Sequence, residues 1–242
     1  MIIGIDDISI FKIFFDTIYE ETDAVELACN SQGMKISILD KSHTCFYEVF
    51  YDATFFDLFD VDGVEVIVLD IDDLTKILKK SHKDDYLTLS SDDGDKVIAK
   101  FEHEDNRRVF ELVQVVDFTE SPVPPTINAD CEVTISIDEL SQSLSDFDIF
   151  KTGSCHMICG DGFVLSSKDD AAMNYSHSID CDAQGTGDAY YTVDYLKNIT
   201  KFKKVSNSVC LRYGDTMPLQ WMVKNDSIRI QGLIAPRIES DD

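Results

Sequence analysis

The chain is 242 residues long, 44% hydrophobic and 10% aromatic, which is enough apolar sequence for one large or two modest cores and excludes disordered, collagen-like and disulfide-miniprotein classes. Lys+Arg 21 against Asp+Glu 46 leaves a formal charge of −25, so most of the surface repels nucleic acid and any contact with it must be local. The apolar runs are short and broken by charge, and residues 1–7 lack the basic start and apolar stretch of an export signal, so the chain reads as cytoplasmic, or nuclear if its source is eukaryotic, with no membrane partner.

Taken in order, residues 7–21 predict an amphipathic helix, with Ile10, Phe11, Phe14, Phe15 and Ile18 on one face. Strand-like pieces follow at 24–29, 34–39, 45–51 and 64–69, separated by Gly, Asp-Gly and Asn-Ser punctuation. A second helix is predicted over 72–83 on Leu74, Ile77 and Leu78, then strands at 86–89, 96–101 and 109–115. Pro122, Pro124 and Pro125 in the stretch 117–128 deny backbone donors and favour an extended connector. A boundary near residue 120 divides the chain into 1–116, a connector of 117–129, and 130–242. The second part repeats the scheme: a strand at 131–137, a helix over 138–146 on Leu140 and Leu144, strands at 156–159, 163–166 and 171–177, a helix over 192–204 on Val193, Leu196, Ile199 and Phe202, and strands at 208–213, 219–223 and 227–233. The helix starts near 7, 72, 138 and 193 are spaced by roughly sixty residues, the mark of an internal repeat. Many short strands with few helices predict an α+β fold of antiparallel sheets covered on one face by four helices.

Positive charge is concentrated on two of these helices. Residues 71–83 hold Lys76, Lys79, Lys80 and Lys83 against Asp72 and Asp73, a net of +2, and residues 193–204 hold Lys197, Lys201, Lys203 and Lys204 against Asp194, a net of +3. The other residues then carry −30. A lone basic helix is usually a solvated face with lysines complementing its dipole. Two at corresponding repeat positions point instead to sequence-independent phosphate contacts. The helix at 138–146 has no basic residue.

No Gly-x-x-x-x-Gly-Lys-Ser/Thr loop, Gly-x-Gly-x-x-Gly turn or Gly-x-Ser-x-Gly elbow is present, so nucleotide-dependent and hydrolase readings lack their usual signatures, and no cofactor is expected. The seven cysteines, an odd number, read as reduced and mostly buried thiols. Cys155, His156 and Cys159, with Cys181 or His177, form the best metal-ligand cluster, but on a strand His156 faces away from the two thiols, so structural cysteines are the preferred reading. The acidic pairs Asp72–Asp73, Asp84–Asp85, Asp92–Asp93 and Asp169–Asp170 fall at turns and helix starts, where carboxylates are common, and single out no catalytic pair.

Four segments carry a family resemblance. Asp73-Leu74-Thr75-Lys76-Ile77-Leu78-Lys79-Lys80 with Asp85-Tyr86-Leu87-Thr88-Leu89, then Leu39-Asp40-Lys41-Ser42-His43, Tyr213-Gly214-Asp215-Thr216-Met217-Pro218-Leu219, and Leu233-Ile234-Ala235-Pro236-Arg237-Ile238-Glu239, in their correct order along nearly the whole chain, resemble the sliding clamps of the proliferating cell nuclear antigen (PCNA) family, most nearly the archaeal type. The resemblance implies a homotrimeric ring of six similar lobes, two per chain, with sheets outside and helices lining a channel around double-stranded DNA. It implies a non-enzymatic processivity factor that tethers DNA polymerase and other replication and repair proteins and is opened by a clamp loader. Lys76, Lys79 and Lys201 match basic channel positions, with Lys80, Lys83, Lys197 and Lys204 as neighbours. The pocket for client peptides bearing a PIP motif is expected at Leu39, His43, Thr44, Phe46, Pro218, Leu233, Ala235 and Pro236, capped by the connector. Subunits would join through edge strands at 107–115 and 171–180, with Arg107, Arg108, Val109, Phe110 and Leu112 meeting Tyr175 and His177 and the two arginines pairing with carboxylates across the junction. The competing readings are a subunit of a heteromeric or viral clamp, an acidic interaction protein that mimics DNA, and, last, a metal hydrolase built on Cys155, Cys159 and Cys181.

Overall fold

In the computed structural model the chain forms two compact units. The first comprises Met1–Lys41, Tyr47–Val123 and Asn225–Ile230, and the second Ser42–Phe46, Pro124–Lys224 and Gln231–Asp242. The structure describes residues 1–91, 95–116, 118, 122–150, 153–168 and 174–238. Asp92–Asp93, Asp169–Asp170, residues 117 and 119–121 of the expected connector, and residues 171–173 of the expected strand at 171–177 lie outside them.

The first unit runs β1 (Ile2–Ile5), α1 (Ser9–Ile18), β2 (Ala24–Asn30), β3 (Gly33–Leu39), β4 (Cys45–Asp52), β5 (Leu58–Asp60), β6 (Glu65–Asp70), α2 (Ile71–Lys79), β7 (Tyr86–Ser91), β8 (Lys96–His103) and β9 (Asn106–Val113). Its strands form a run β5-β1-β7-β8-β9 and a second run β6-β2-β3-β4, with antiparallel ladders. The helix α1 buries Phe11, Phe14, Phe15 and Ile18 completely, with the Phe11 and Phe15 rings 4.8 Å apart edge to face. Burial of each such side chain contributes about 1.5–3 kcal/mol, which is why the spacing of these aromatics, rather than helix propensity, fixes the element. α1 is shorter than predicted because Asp7 turns the chain ahead of it, its carboxylate accepting from the Ser9 amide at 2.9 Å. α2 starts one residue before its predicted position, since Asp70 caps it through the Asp73 amide at 3.0 Å. It also stops at Lys79: the amides of Lys80 and Ser81 donate back to Ile77 and Leu78 at 3.0 and 3.1 Å, a tightening that ends the helix. Lys80 and Lys83 therefore lie beyond α2, not on it as the sequence suggested. β1 and β5, four and three residues long, are too short to leave a periodic signal and were not predicted.

The second unit runs β10 (Cys131–Ser136), α3 (Ile137–Phe150), β11 (Ser154–Cys159), β12 (Phe163–Lys168), β13 (Asn174–Ile179), β14 (Asp182–Gly185), β15 (Gly187–Thr192), α4 (Val193–Thr200), a 3-10 turn (Lys201–Lys204), β16 (Ser208–Tyr213), β17 (Leu219–Lys224) and the end of β18 (Ile228–Ile234). Its strand runs are β14-β10-β16-β17-β18 and β15-β11-β12-β13. Each strand pairs as its counterpart does in the first unit, β10 with β14 and β16 as β1 with β5 and β7, and β11 with β12 and β15 as β2 with β3 and β6. The repeat inferred from helix spacing is thus a repeat of topology. α3 outruns its predicted end because buried Phe147 continues the apolar face of Leu140 and Leu144, and the fourth helix changes to 3-10 geometry at Lys201. The short strands β14 and β15 were also missed.

The thiols behave as strand alternation requires. Cys155 and Cys159 are buried, whereas His156 stacks on Tyr190 at 4.0 Å and bonds Asp188 at 2.6 Å. Among the described residues no three His, Cys, Asp or Glu side chains are grouped to hold a metal ion, and no helix is long and apolar enough to cross a membrane.

Candidate nucleic-acid and protein-binding sites

The seven expected DNA-facing lysines divide by what holds them. Lys76 lies 3.5 Å from Asp73 and 3.9 Å from Asp72 on its own helix, and the Lys79 ammonium sits 4.4 Å above the Tyr19 ring. Lys197 is paired with Asp148 of α3. Lys80, Lys83, Lys201 and Lys204 are exposed and have no ion-pair partner among the described residues. Lys203, between two of them, is bonded to Asp138 of α3 at 2.5 Å. Lys76 is paired by carboxylates one turn away on its own helix, whereas Lys197 and Lys203 are paired by carboxylates of α3 that are distant in sequence.

In the second unit a cleft of about 280 Å³ is lined by Phe46, Pro124, Pro125, Gln220, Gln231, Gly232 and Leu233. Phe46 and Leu233 come from the expected pocket, and the two prolines from the expected connector. Gln220, Gln231 and Gly232 were not anticipated, although the alternation of β17 and β18 carries the signal: Leu219, Trp221 and Ile230 are buried, which turns their sequence neighbours Gln220 and Gln231 to the other face. Gly232 is required by close approach, since a Cβ there would stand 2.4 Å from the Phe46 carbonyl oxygen and 2.7 Å from the Trp221 ring. The other expected pocket residues do not line the cleft. Leu39 ends β3 in the first unit. His43 occupies an exposed left-handed turn position at φ 58°. Thr44 accepts the Ala235 amide at 2.8 Å and shares a hydroxyl bond with Tyr195 at 2.8 Å. Pro218, Ala235 and Pro236 are half-buried.

The expected subunit contacts fall on two unlike edges. β9 ends one strand run and β13 ends another. On β9, Arg107 is exposed, Val109 is 49% exposed, and Phe110 is half-buried against Phe101 at 5.9 Å, while Leu112 is buried. On β13, Tyr175 donates to Asp146 at 3.0 Å and the His177 ring bonds Ser143 at 2.7 Å. Arg108 does not wait for a carboxylate from another chain. It is ion-paired to Asp85 and donates to the Lys80 carbonyl at 2.6 Å. Asp85 is buried, which by itself would raise its pKa, yet the His82 amide at 2.6 Å and the Arg108 guanidinium outweigh burial and hold the carboxyl below its usual value.

Residues 3–119 match the family model for the N-terminal domain of proliferating cell nuclear antigen. The chain is 30% identical to a DNA polymerase sliding clamp of Methanothermobacter thermautotrophicus over 98% of each chain, and 29% identical to one of Methanobrevibacter smithii over 98% of each. Its fold is that of a chain in the crystal structure of a PCNA2–PCNA3 complex from Sulfolobus tokodaii, with a TM-score of 0.88 at 21% identity, covering 99% of this chain and 100% of that one. A repeated α+β topology and a family likeness that runs the length of the chain lead to one conclusion: the protein belongs to the proliferating cell nuclear antigen family of DNA sliding clamps.

Proposed function

We propose that three copies of the chain close into a ring around duplex DNA by joining β9 of one chain to β13 of the next. The observation that carries this reading is that β9 and β13, each the terminal strand of its run, are unlike strands. An interface between unlike edges is head-to-tail, and such interfaces close into rings when the rotation permits. The functional lobes are residues 1–116 and 130–242, with 117–129 as their connector. Phosphate contacts come chiefly from Lys80, Lys83, Lys201 and Lys204, with Lys76, Lys79 and Lys197 engaged by partners of their own. Weak contacts suffice, because encirclement rather than affinity retains the protein on DNA and leaves it free to slide. The cleft at Phe46, Pro124, Pro125 and Leu233 receives PIP-motif peptides of DNA polymerase, clamp loader and other clients, and the protein acts by tethering them rather than by chemistry of its own.

Light scattering behind size exclusion tests the assembly. Three chains of 27.3 kDa give a species of roughly 82 kDa. A mass of one chain at both low and high salt would refute the self-sufficient ring and direct the search to a heteromeric one.

A further inference from the structure

In the second unit, α3 and α4 pack together, and α3 carries Asp138, Glu139, Asp146 and Asp148 with no basic residue. Two of these carboxylates hold lysines that follow on α4 and its 3-10 extension: Asp148 binds Lys197, and Asp138 binds Lys203 at 2.5 Å. The partners are 49 and 65 residues apart in sequence, so the pairing comes from helix packing and not from a local turn. Exposed pairs of this kind add little to stability, typically about 0.2–1 kcal/mol. Their effect is on the field: each places a neutral pair where an unpaired ammonium would attract phosphate and release a counterion.

We propose that Asp138 and Asp148 attenuate the grip on DNA by neutralising Lys203 and Lys197, so that in this unit the phosphate contacts are left to Lys201 and Lys204. The inference rests on the reading that these lysines face duplex DNA. It makes α3 a positioning element for that contact: its carboxylates set how many cations the unit presents, and so how tightly the protein holds a duplex along which it must slide.

The experiment measures binding of the full-length protein to an end-labelled duplex of about 40 base pairs by fluorescence anisotropy across a sodium chloride series. Asp138→Asn/Asp148→Asn frees two lysines. It should tighten binding by about fivefold or more and steepen the log K against log[salt] slope by about 1 or more. Glu139→Gln removes one charge from the same helix without releasing a lysine and sets the baseline for charge alone. Asp138→Asn/Lys203→Gln removes a neutral pair and should leave affinity within about twofold of the unaltered protein. A gain for Asp138→Asn/Asp148→Asn no larger than that of Glu139→Gln, or a clear loss for Asp138→Asn/Lys203→Gln, would overturn the proposal. The underlying reading has its own arm: Lys201→Ala/Lys204→Ala should lose most binding at moderate salt, and if it does not, this unit does not face DNA and the proposal falls with that premise.

Discussion

Replacing Arg108 by Ala breaks an ion pair of the first unit whose carboxylate is buried. The side chain of Asp85 is 2% exposed and that of Arg108 31% exposed, so the variant leaves a buried carboxylate with the His82 amide as its remaining donor among the contacts described above. It also leaves the Lys80 carbonyl without the guanidinium and removes a cation held 5.3 Å from the Phe101 ring. Breaking a buried pair from one side costs about 3–5 kcal/mol. Water reaches the arginine end, so about 2–3 kcal/mol is the appropriate magnitude here. With a urea slope of about 2 kcal/mol/M this moves the midpoint of the first unit's transition down by roughly 1 M. The sign with pH follows from the depressed pKa of Asp85. Its stabilising contribution is fully present above the unfolded carboxyl pKa of about 3.9 and is lost as pH falls through the lower folded value. The gap between the unaltered protein and Arg108→Ala should therefore be widest near neutral pH and close below about pH 4. Urea melts at pH 7, 5 and 3.5, followed by circular dichroism, measure this. Because Arg108 is engaged within its own chain, the variant should keep its assembled mass in light scattering. Loss of the assembly with an unchanged urea midpoint would refute the argument and return Arg108 to the interface.

Gly232→Ala forces a methyl to within 2.4 Å of the Phe46 carbonyl oxygen, so it should distort the cleft and weaken a labelled peptide carrying an apolar plug and aromatic residues by tenfold or more; unchanged affinity in a fluorescence titration would place the peptide elsewhere. Val109→Asp adds charge at a half-exposed site on the β9 edge, and it should reduce the assembled mass to that of one chain while leaving the unfolding free energy within about 0.5 kcal/mol. Burial pushes the Cys29 thiol up to about 12, with Glu65 adding to the shift, and pushes fully buried Cys155 higher still. Both should resist a thiol reagent at pH 8 until the chain unfolds, while half-buried Cys181 and Cys210 react first; early labelling of Cys29, located by mass spectrometry, would contradict the packing described.

Much of this protein was legible in the sequence because its signals are local. The spacing of Phe11, Phe14, Phe15 and Ile18 specifies a helix face whatever it packs against, and so does that of Leu74 and Leu78. Proline and glycine punctuation marks where strands end, and the recurrence of four amphipathic segments announces a doubled unit. The extents of those segments were less legible, because caps such as Asp70 and terminal bonds such as that from Lys80 to Ile77 depend on backbone geometry rather than composition. Strands as short as β1 and β5 take their identity from the neighbours they pair with, which no window of three or four residues contains. At the candidate sites the sequence supplied the charges and the apolar groups, Phe46 and Leu233 among them, but not their company. Arg108 finds Asp85 across 23 residues, Lys197 finds Asp148 across 49 and Lys203 finds Asp138 across 65. Composition determined that two segments of a strongly acidic chain are basic; only the packing of helix on helix decided that Lys197 and Lys203 are paired while Lys201 and Lys204 are not, because an electrostatic field follows distance in space and not distance along the chain.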